Sequence, residues 1–147
     1  DAYRRSQAEI RKALPLAEET GVKILLENVW NNFLLSPLET ARYIDELESP
    51  LVGSYFDVGN VVRYGWPEHW IRTLGPRIVK LDIKEYSNEG IYKAFQGELL
   101  EGDCDWPAVM AALRDINYQG WGTAEVPGGD RDRLKDIADR MDRIFAL

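Results

Sequence analysis

Four acidic side chains end four short apolar segments of the chain: Glu27, Asp57, Asp82 and Glu125. If these segments are parallel strands, their carboxyl ends meet at one rim, and the four carboxylates converge there. Carboxylates held that close repel one another unless they are protonated or bind a cation. The pattern therefore predicts a divalent metal site. Ligands that are all oxygen favour Mn²⁺ or Mg²⁺, although carboxylates also bind Zn²⁺ or Co²⁺.

The apolar segments alternate with helical patterns along the whole chain. Strands are predicted over residues 22–27, 51–57, 77–84 and 120–126, and helices over 2–20, 36–47, from 66, 105–116 and 130–145. The nearly continuous apolar run at 22–27 is typical of a parallel strand buried on both faces. Such alternation implies parallel strands joined by right-handed helical crossovers.

Local signals mark where several of these elements begin. Ser36 is predicted as an N-cap, with Pro37 in the first turn and Glu39 reaching back to the cap. Asp105 and Asp130 are predicted to begin the last two helices. The polar, glycine-containing segment 86–103 is predicted to be a long loop, and loops of that length are usually functional or mobile.

The predicted fold class is α/β, with residues 1–147 forming one domain. A complete (β/α)8 barrel typically needs about 250 residues, so a chain of 147 residues with four strands is predicted to supply half of one. The alternative is an open, doubly wound sheet. That fold would normally carry a glycine-rich phosphate loop after its first strand, and residues 27–30 (ENVW) are no such loop.

Composition argues against several classes of protein. The net charge is −7 and the basic residues are scattered, which argues against nucleic-acid binding. No apolar run approaches the length of a membrane span, and one cysteine, Cys104, excludes an internal disulfide. We therefore expect a soluble protein, cytoplasmic by default. An export signal could have preceded Asp1, where the chain looks cut.

Five segments together resemble a known family. They are LLEN (25–28), FDVGN (56–60), LDIKE (81–85), LLEGDCDWP (99–107) and GTAEV (122–126). In order and spacing they resemble the C-terminal half of the xylose isomerase-like TIM barrel superfamily, in its sugar phosphate isomerase/epimerase branch. The resemblance implies a carbohydrate substrate, a possible homo-oligomer, and an N-terminal half-barrel that closes the barrel.

The resemblance also implies one metal ion held by Glu27, Asp57, position 82 and Glu125. The family has histidine at the third of these positions, within His-x-Lys-Asp, and this chain has Asp82 within Asp-Ile-Lys-Glu. Compared with histidine, Asp82 adds negative charge and supplies a hard oxygen ligand in place of nitrogen. The family also often has histidine where this chain has Asn60.

In such enzymes the glutamates that match Glu27 and Glu125 move protons on opposite faces of the substrate. A proton beside a carbonyl becomes removable when a metal stabilises the enediolate that forms. Return of a proton to the opposite face of the same carbon gives epimerisation, and return to the neighbouring carbon gives isomerisation. Two alternatives stay open: an inosose-type dehydratase, which expels water, and a catalytically silent sugar-binding barrel.

Three further residues are candidates for contact with the substrate. Lys84 could hold a substrate oxygen or a carboxylate of the site, or be an ordinary strand-end lysine. Asn60 could bind a hydroxyl or belong to a Gly-Asn turn. Trp30 could stack on a sugar or pack against the rim. His69, the only histidine, is predicted at the surface, so the histidine-rich, multi-zinc site of the related endonuclease branch is excluded.

Overall fold

A computed structural model describes residues 1–90 and 94–147 of the chain. Its elements are α1 (Ala2–Thr20), β1 (Ile24–Glu27), α2 (Pro37–Asp45), β2 (Val52–Asp57), α3 (Gly59–Val62), α4 (Pro67–Leu74), β3 (Ile78–Ile83), α5 (Trp106–Asp115), β4 (Trp121–Ala124) and α6 (Arg131–Phe145). A 3-10 turn, Gly75–Arg77, joins α4 to β3. The predicted alternation of helices and strands is confirmed.

The four strands form one parallel sheet in the order β1-β2-β3-β4. The register pairs Glu27 with Tyr55, and Asp57 with Asp82, so the acidic ends of the inner strands lie side by side. Strands β1 and β4 are the two edges of the sheet, which does not close on itself. The carboxyl ends of all four strands therefore lie along one rim.

The sheet buries one face against its helices. Phe56, Leu81 and Ile83 lie on this face and belong to the main apolar core, which also contains Ile71 and Val109 from the helices α4 and α5. A smaller core around Tyr43, Ile44, Leu47 and Val52 lies under α1 and α2. Because side chains alternate along a strand, the opposite face carries the acidic residues of the rim.

Two local predictions need correction. Ser36 lies at the N-cap position of α2, but its side chain makes no capping bond, and its carbonyl accepts from both the backbone N–H and the hydroxyl of Thr40. The predicted Gly-Asn turn is the first part of the short helix α3.

The other two caps are confirmed: Asp105 accepts from the Ala108 N–H, and Asp130 accepts from the Arg133 N–H. Part of the predicted loop 86–103, residues 91–93, lies outside the described residues. No helix in the described part of the chain combines the length and apolar character that crossing a bilayer requires.

Candidate metal centre

The structure brings the four predicted acidic residues together at the rim. Glu27 ends β1, Asp57 ends β2, Asp82 lies in β3 and Glu125 directly follows β4. One carboxylate oxygen from each residue lies within 4.8 Å of the others. Carboxylates this close repel one another unless one is protonated or a cation binds. We call these four residues the acidic cluster.

Asp57 is the most enclosed member of the acidic cluster, with a side chain that is 0% exposed. Its Oδ1 accepts from the Asn60 N–H at 2.8 Å, while Oδ2 is buried without a hydrogen-bond partner among the described residues. Lys84 Nζ lies 3.5 Å from that oxygen, close enough for attraction between charges. An unmet buried acceptor is costly, and a cation bound at the acidic cluster would satisfy it. The donor set therefore fits a divalent metal ion.

Burial raises the pKa of Asp57 to about 8. The Asn60 N–H and the charge of Lys84 act in the opposite direction, and the neighbouring Glu125 adds to the increase. Without a cation at the acidic cluster, Asp57 therefore holds a proton near neutral pH. Binding a divalent ion would displace that proton.

Lys84 places a positive charge beside two of the four carboxylates. Its Nζ donates to Glu125 Oε1 at 2.9 Å and lies 4.4 Å from the centre of the Phe95 ring. Burial alone would lower the pKa of Lys84, but the hydrogen bond to Glu125 and the charges of Asp57 and Glu125 raise it overall. Lys84 therefore stays charged and offsets part of the negative charge of the acidic cluster.

Glu27 and Glu125 flank the acidic cluster from its two sides. Their strands, β1 and β4, are the outer strands of the sheet, and both side chains are exposed. Burial of part of its surface raises the pKa of Glu27, and the charges of Glu125 and Asp82 raise it further. A carboxylate with a raised pKa is a stronger base. A small molecule at the rim would thus have an exposed carboxylate on either side.

Asp82 is held by a residue that our sequence reasoning missed. The Tyr55 hydroxyl donates to Asp82 Oδ1 at 2.5 Å. Burial raises the pKa of Asp82, and the bond from Tyr55 reduces that increase. The signal was present in the sequence, because Tyr55 precedes Asp57 by two positions and so lies on the same face of β2.

Asn60 and Trp30, two of the predicted substrate-binding residues, make hydrogen bonds that link the loops at the rim. Asn60 is 4% exposed, and its Nδ2 donates to the Asn28 carbonyl at 3.0 Å. Trp30 Nε1 donates to the Asn60 carbonyl at 2.8 Å. Asn28, also missed, exchanges two hydrogen bonds with the Asp57 backbone, at 2.8 and 2.9 Å. Contact of Asn60 or Trp30 with a substrate stays a prediction.

The segment after β3 is organised by Glu85, which is 2% exposed. Its carboxylate accepts from four N–H groups, those of the Tyr86, Leu100 and Cys104 backbones and the Trp106 indole. Cys104 is buried there, and burial raises the pKa of its thiol, so no reactive thiolate forms. His69 is exposed, as predicted.

Parallel strands that alternate with helices and end on converging carboxylates define an enzyme-like segment of a (β/α)8 barrel. The family comparison agrees with this class. A model of the xylose isomerase-like TIM barrel family matches residues 1–146, and the chain belongs to that family. The open sheet is therefore half of such a barrel, and the doubly wound alternative is excluded.

Solved structures with the same fold include several sugar epimerases. A xylose isomerase domain protein from Planctomyces limnophilus is 19% identical with a TM-score of 0.79, over 97% of this chain and 51% of that one. The 3-keto-D-glucoside 4-epimerase from E. coli is 17% identical with a TM-score of 0.75, over 99% and 54%. D-allulose 3-epimerase from Methylomonas sp. is 22% identical with a TM-score of 0.73, over 93% and 47%. The chain thus spans about half the length of these proteins.

One curated relative is more similar in sequence over a shorter region. The 2-epi-5-epi-valiolone 7-phosphate 2-epimerase of Actinoplanes sp. is 33% identical over 72 residues, which is 49% of this chain and 25% of the relative. Family and relatives together place the chain among sugar epimerase- and isomerase-like proteins.

Proposed function

We propose that this chain is the C-terminal half of a divalent-metal-dependent sugar isomerase or epimerase, and that residues 1–147 form one structural unit of it. One observation carries the proposal: four carboxylates from four strands converge within 4.8 Å, and the buried Asp57 Oδ2 among them has no hydrogen-bond partner in the described residues. The remaining strands of the barrel are expected to come from the rest of the protein.

Glu27, Asp57, Asp82 and Glu125 would hold the metal ion. Their oxygen ligands favour Mn²⁺ or Mg²⁺ over Zn²⁺ or Co²⁺. Such an ion, when bound, polarises a substrate carbonyl and stabilises the negative charge that develops when a neighbouring proton leaves. Asp57 and Asp82, on the inner strands, would serve only as metal ligands and would not transfer protons.

Glu27 and Glu125 would also transfer the proton. Because they stand on the two outer strands, one can remove a proton from the carbon beside the carbonyl and the other can deliver one to the opposite face. The raised pKa of Glu27 suits removal of a weakly acidic proton. Lys84, bonded to Glu125 Oε1, would hold that carboxylate in place or release it to contact a substrate oxygen.

The substrate is proposed to be a small carbohydrate, like those named for the related epimerases. Trp30 is half-buried at the rim, with the Arg63 guanidinium 4.8 Å from its ring centre and Phe95 4.7 Å away. Its remaining exposed edge could contact a sugar ring. Asn60 would act mainly by holding Asp57 and the loop that carries Trp30.

Lys84 also favours a second candidate, a sugar-binding barrel without metal or catalysis. Its ammonium already lies against Asp57 and Glu125, where it compensates part of the charge that would otherwise require a metal ion. In that case the protein would bind a carbohydrate without exchanging its protons.

Deuterium uptake from D₂O separates these functions. The full-length protein would be incubated with Mn²⁺ and a panel of ketoses, alongside Glu125→Gln and the matched control Glu18→Gln, which changes an exposed glutamate of α1. We expect Mn²⁺-dependent uptake in the wild type and the control, and none in Glu125→Gln. Sugar binding without exchange in any of the three would support the silent barrel, and loss of water would indicate the dehydratase.

A further inference from the structure

Tyr55 connects the acidic cluster to the layer of side chains beneath it. It lies on β2 opposite Lys80 of β3 in the register of the sheet. Its hydroxyl donates to Asp82 Oδ1 at 2.5 Å, a short distance typical of a bond to an ionised acceptor. One oxygen of Asp82 therefore already accepts a hydrogen bond from the protein, which restrains the rotation of the carboxylate.

Lys80 restricts the Tyr55 ring that carries this hydroxyl. The Lys80 ammonium lies 4.3 Å from the centre of the ring, in a cation–π contact. Lys80 belongs to the same strand as Asp82, two residues earlier, so both side chains lie on the same face of β3. The contact holds the ring in the orientation that directs its hydroxyl to Asp82.

The other oxygen of Asp82 has a different environment. The Tyr55 hydroxyl bonds to Oδ1 and not to Oδ2, and Asp82 as a whole residue is 5% exposed. A carboxylate binds a cation through both oxygens only when both are turned towards the ion, and the bond from Tyr55 to Oδ1 restrains how the Asp82 carboxylate can turn. Asp57 and Glu125 each also have one oxygen in a hydrogen bond, from the Asn60 N–H and from Lys84, whereas Asp82 is the member restrained by a neutral side-chain hydroxyl.

We propose that Tyr55 is a positioning residue that makes Asp82 a one-oxygen ligand and so selects small divalent ions over Ca²⁺. This inference rests on the proposed metal site. Ca²⁺ takes six to eight oxygen ligands and can use both oxygens of a carboxylate to reach that number, whereas Mg²⁺ requires a tighter octahedral set. Restraining Asp82 removes one ligand atom that Ca²⁺ would use.

The test measures the Mn²⁺ and Ca²⁺ affinities of the full-length protein by titration calorimetry, and the EPR spectrum of bound Mn²⁺. Wild type is compared with Tyr55→Phe, which deletes the hydroxyl alone. The matched control is Tyr118→Phe, whose lost hydroxyl bonds to the Val79 and Trp121 carbonyls of the same sheet. Circular dichroism checks that each variant is folded.

Loss of the supporting hydrogen bond is expected to weaken Mn²⁺ binding about 10-fold or more, in line with the effect of removing partners of metal ligands. Ca²⁺ binding should stay constant or tighten, so the preference for Mn²⁺ over Ca²⁺ falls about 10-fold or more. The Mn²⁺ EPR spectrum should also change. Tyr118→Phe should leave both affinities within about twofold of the wild type.

Repeating the Tyr55→Phe comparison in the Asp82→His variant tests whether the effect of Tyr55 acts through Asp82 or only through folding. In Asp82→His the side chain offers a single nitrogen whether or not Tyr55 has a hydroxyl, so adding Tyr55→Phe should change the Mn²⁺ to Ca²⁺ preference less than twofold. An equal change in both backgrounds would overturn the inference. So would Mn²⁺ binding by Tyr55→Phe that matches the wild type, which would leave the proposed metal site intact. A wild type that binds no Mn²⁺ would overturn both proposals.

Discussion

Asp57 and Glu85 are two buried carboxylates at the ends of neighbouring strands, and their surroundings differ. Glu85 is 2% exposed, and each of its oxygens accepts two N–H groups at 2.8 to 3.2 Å. Asp57 is 0% exposed, yet one of its oxygens has no hydrogen-bond partner among the described residues. The protein therefore supplies hydrogen-bond donors to both oxygens of Glu85 but to only one oxygen of Asp57 among the described residues.

This difference separates a structural acid from a functional one. Buried polar groups in native proteins are almost always hydrogen-bonded, so an exception requires an explanation. Glu85 ties the loop after β3 to the start of α5 through Leu100, Cys104 and Trp106. Asp57 instead keeps an unmet acceptor next to three other carboxylates. The same type of side chain thus stabilises the fold in one place and leaves a buried acceptor without a hydrogen bond in the other.

The largest expected effect is on stability, in Glu85→Gln. The glutamine amide would point two donors at N–H groups that now face an oxygen, and lose the charge that strengthens the bonds. We expect the free energy of unfolding to fall by about 3 kcal/mol, measured by urea denaturation. The control is Glu9→Gln, a change at an exposed position of α1. Its free energy of unfolding should fall by less than about 0.5 kcal/mol. A similar loss in both variants would contradict the structural role of Glu85.

Asp57→Asn is expected to change stability in the opposite direction. The asparagine oxygen can still accept from the Asn60 N–H, and its amide replaces the unmet Oδ2 with a donor beside Glu125. In EDTA at pH 8 we expect the free energy of unfolding to rise by about 2 kcal/mol. Destabilisation in EDTA would show that the buried charge is already compensated within the protein.

The pH dependence of the metal-free protein sharpens the same contrast. The pKa of Asp57 rises from 3.8 to about 8 on folding, so the folded protein holds the proton more tightly. The stability that this group contributes is therefore full below about pH 4 and is lost as the pH rises towards 8, by at most about 1.4 kcal/mol per pH unit.

Thermal melts of wild type and Asp57→Asn in EDTA, from pH 5 to 8.5, would detect this loss. We expect the wild type to become less stable relative to Asp57→Asn as the pH rises. A difference that stays constant over this range would show that Asp57 titrates below it.

The smallest expected effect is in Lys84→Met. Removing the ammonium leaves Asp57 and Glu125 with less compensation, and should lower the stability of the metal-free protein by about 1 kcal/mol. Mn²⁺ should then raise the melting temperature more than it does in the wild type, because no lysine competes for the carboxylates. Lys135→Met, at an exposed pair with Asp139, should show neither change.

Much of the acidic cluster could be predicted because its members depend on local rules. A short apolar run predicts a strand, and parallel strands bring their carboxyl ends to one rim. Tyr55 follows from the same alternation along β2 and could have been predicted, although its bond to Asp82 also requires the register between two strands.

The Glu85 network could not be predicted in the same way. Its donors at Leu100, Cys104 and Trp106 lie 15, 19 and 21 residues away, and no local pattern in the sequence shows that they meet Glu85. The bonds from Asn28 and Asn60 likewise join residues 29 and 32 positions apart. Turn and cap residues reveal local bonds, whereas these depend on tertiary packing.

The most direct test of the metal site is a Mn²⁺ titration of the full-length wild type and Asp57→Asn, with bound metal counted after dialysis. We predict one ion per wild-type chain, a higher melting temperature when it is bound, and no retained ion in Asp57→Asn. Equal binding by both proteins, or no binding by the wild type, would contradict the claim that the acidic cluster is a metal site.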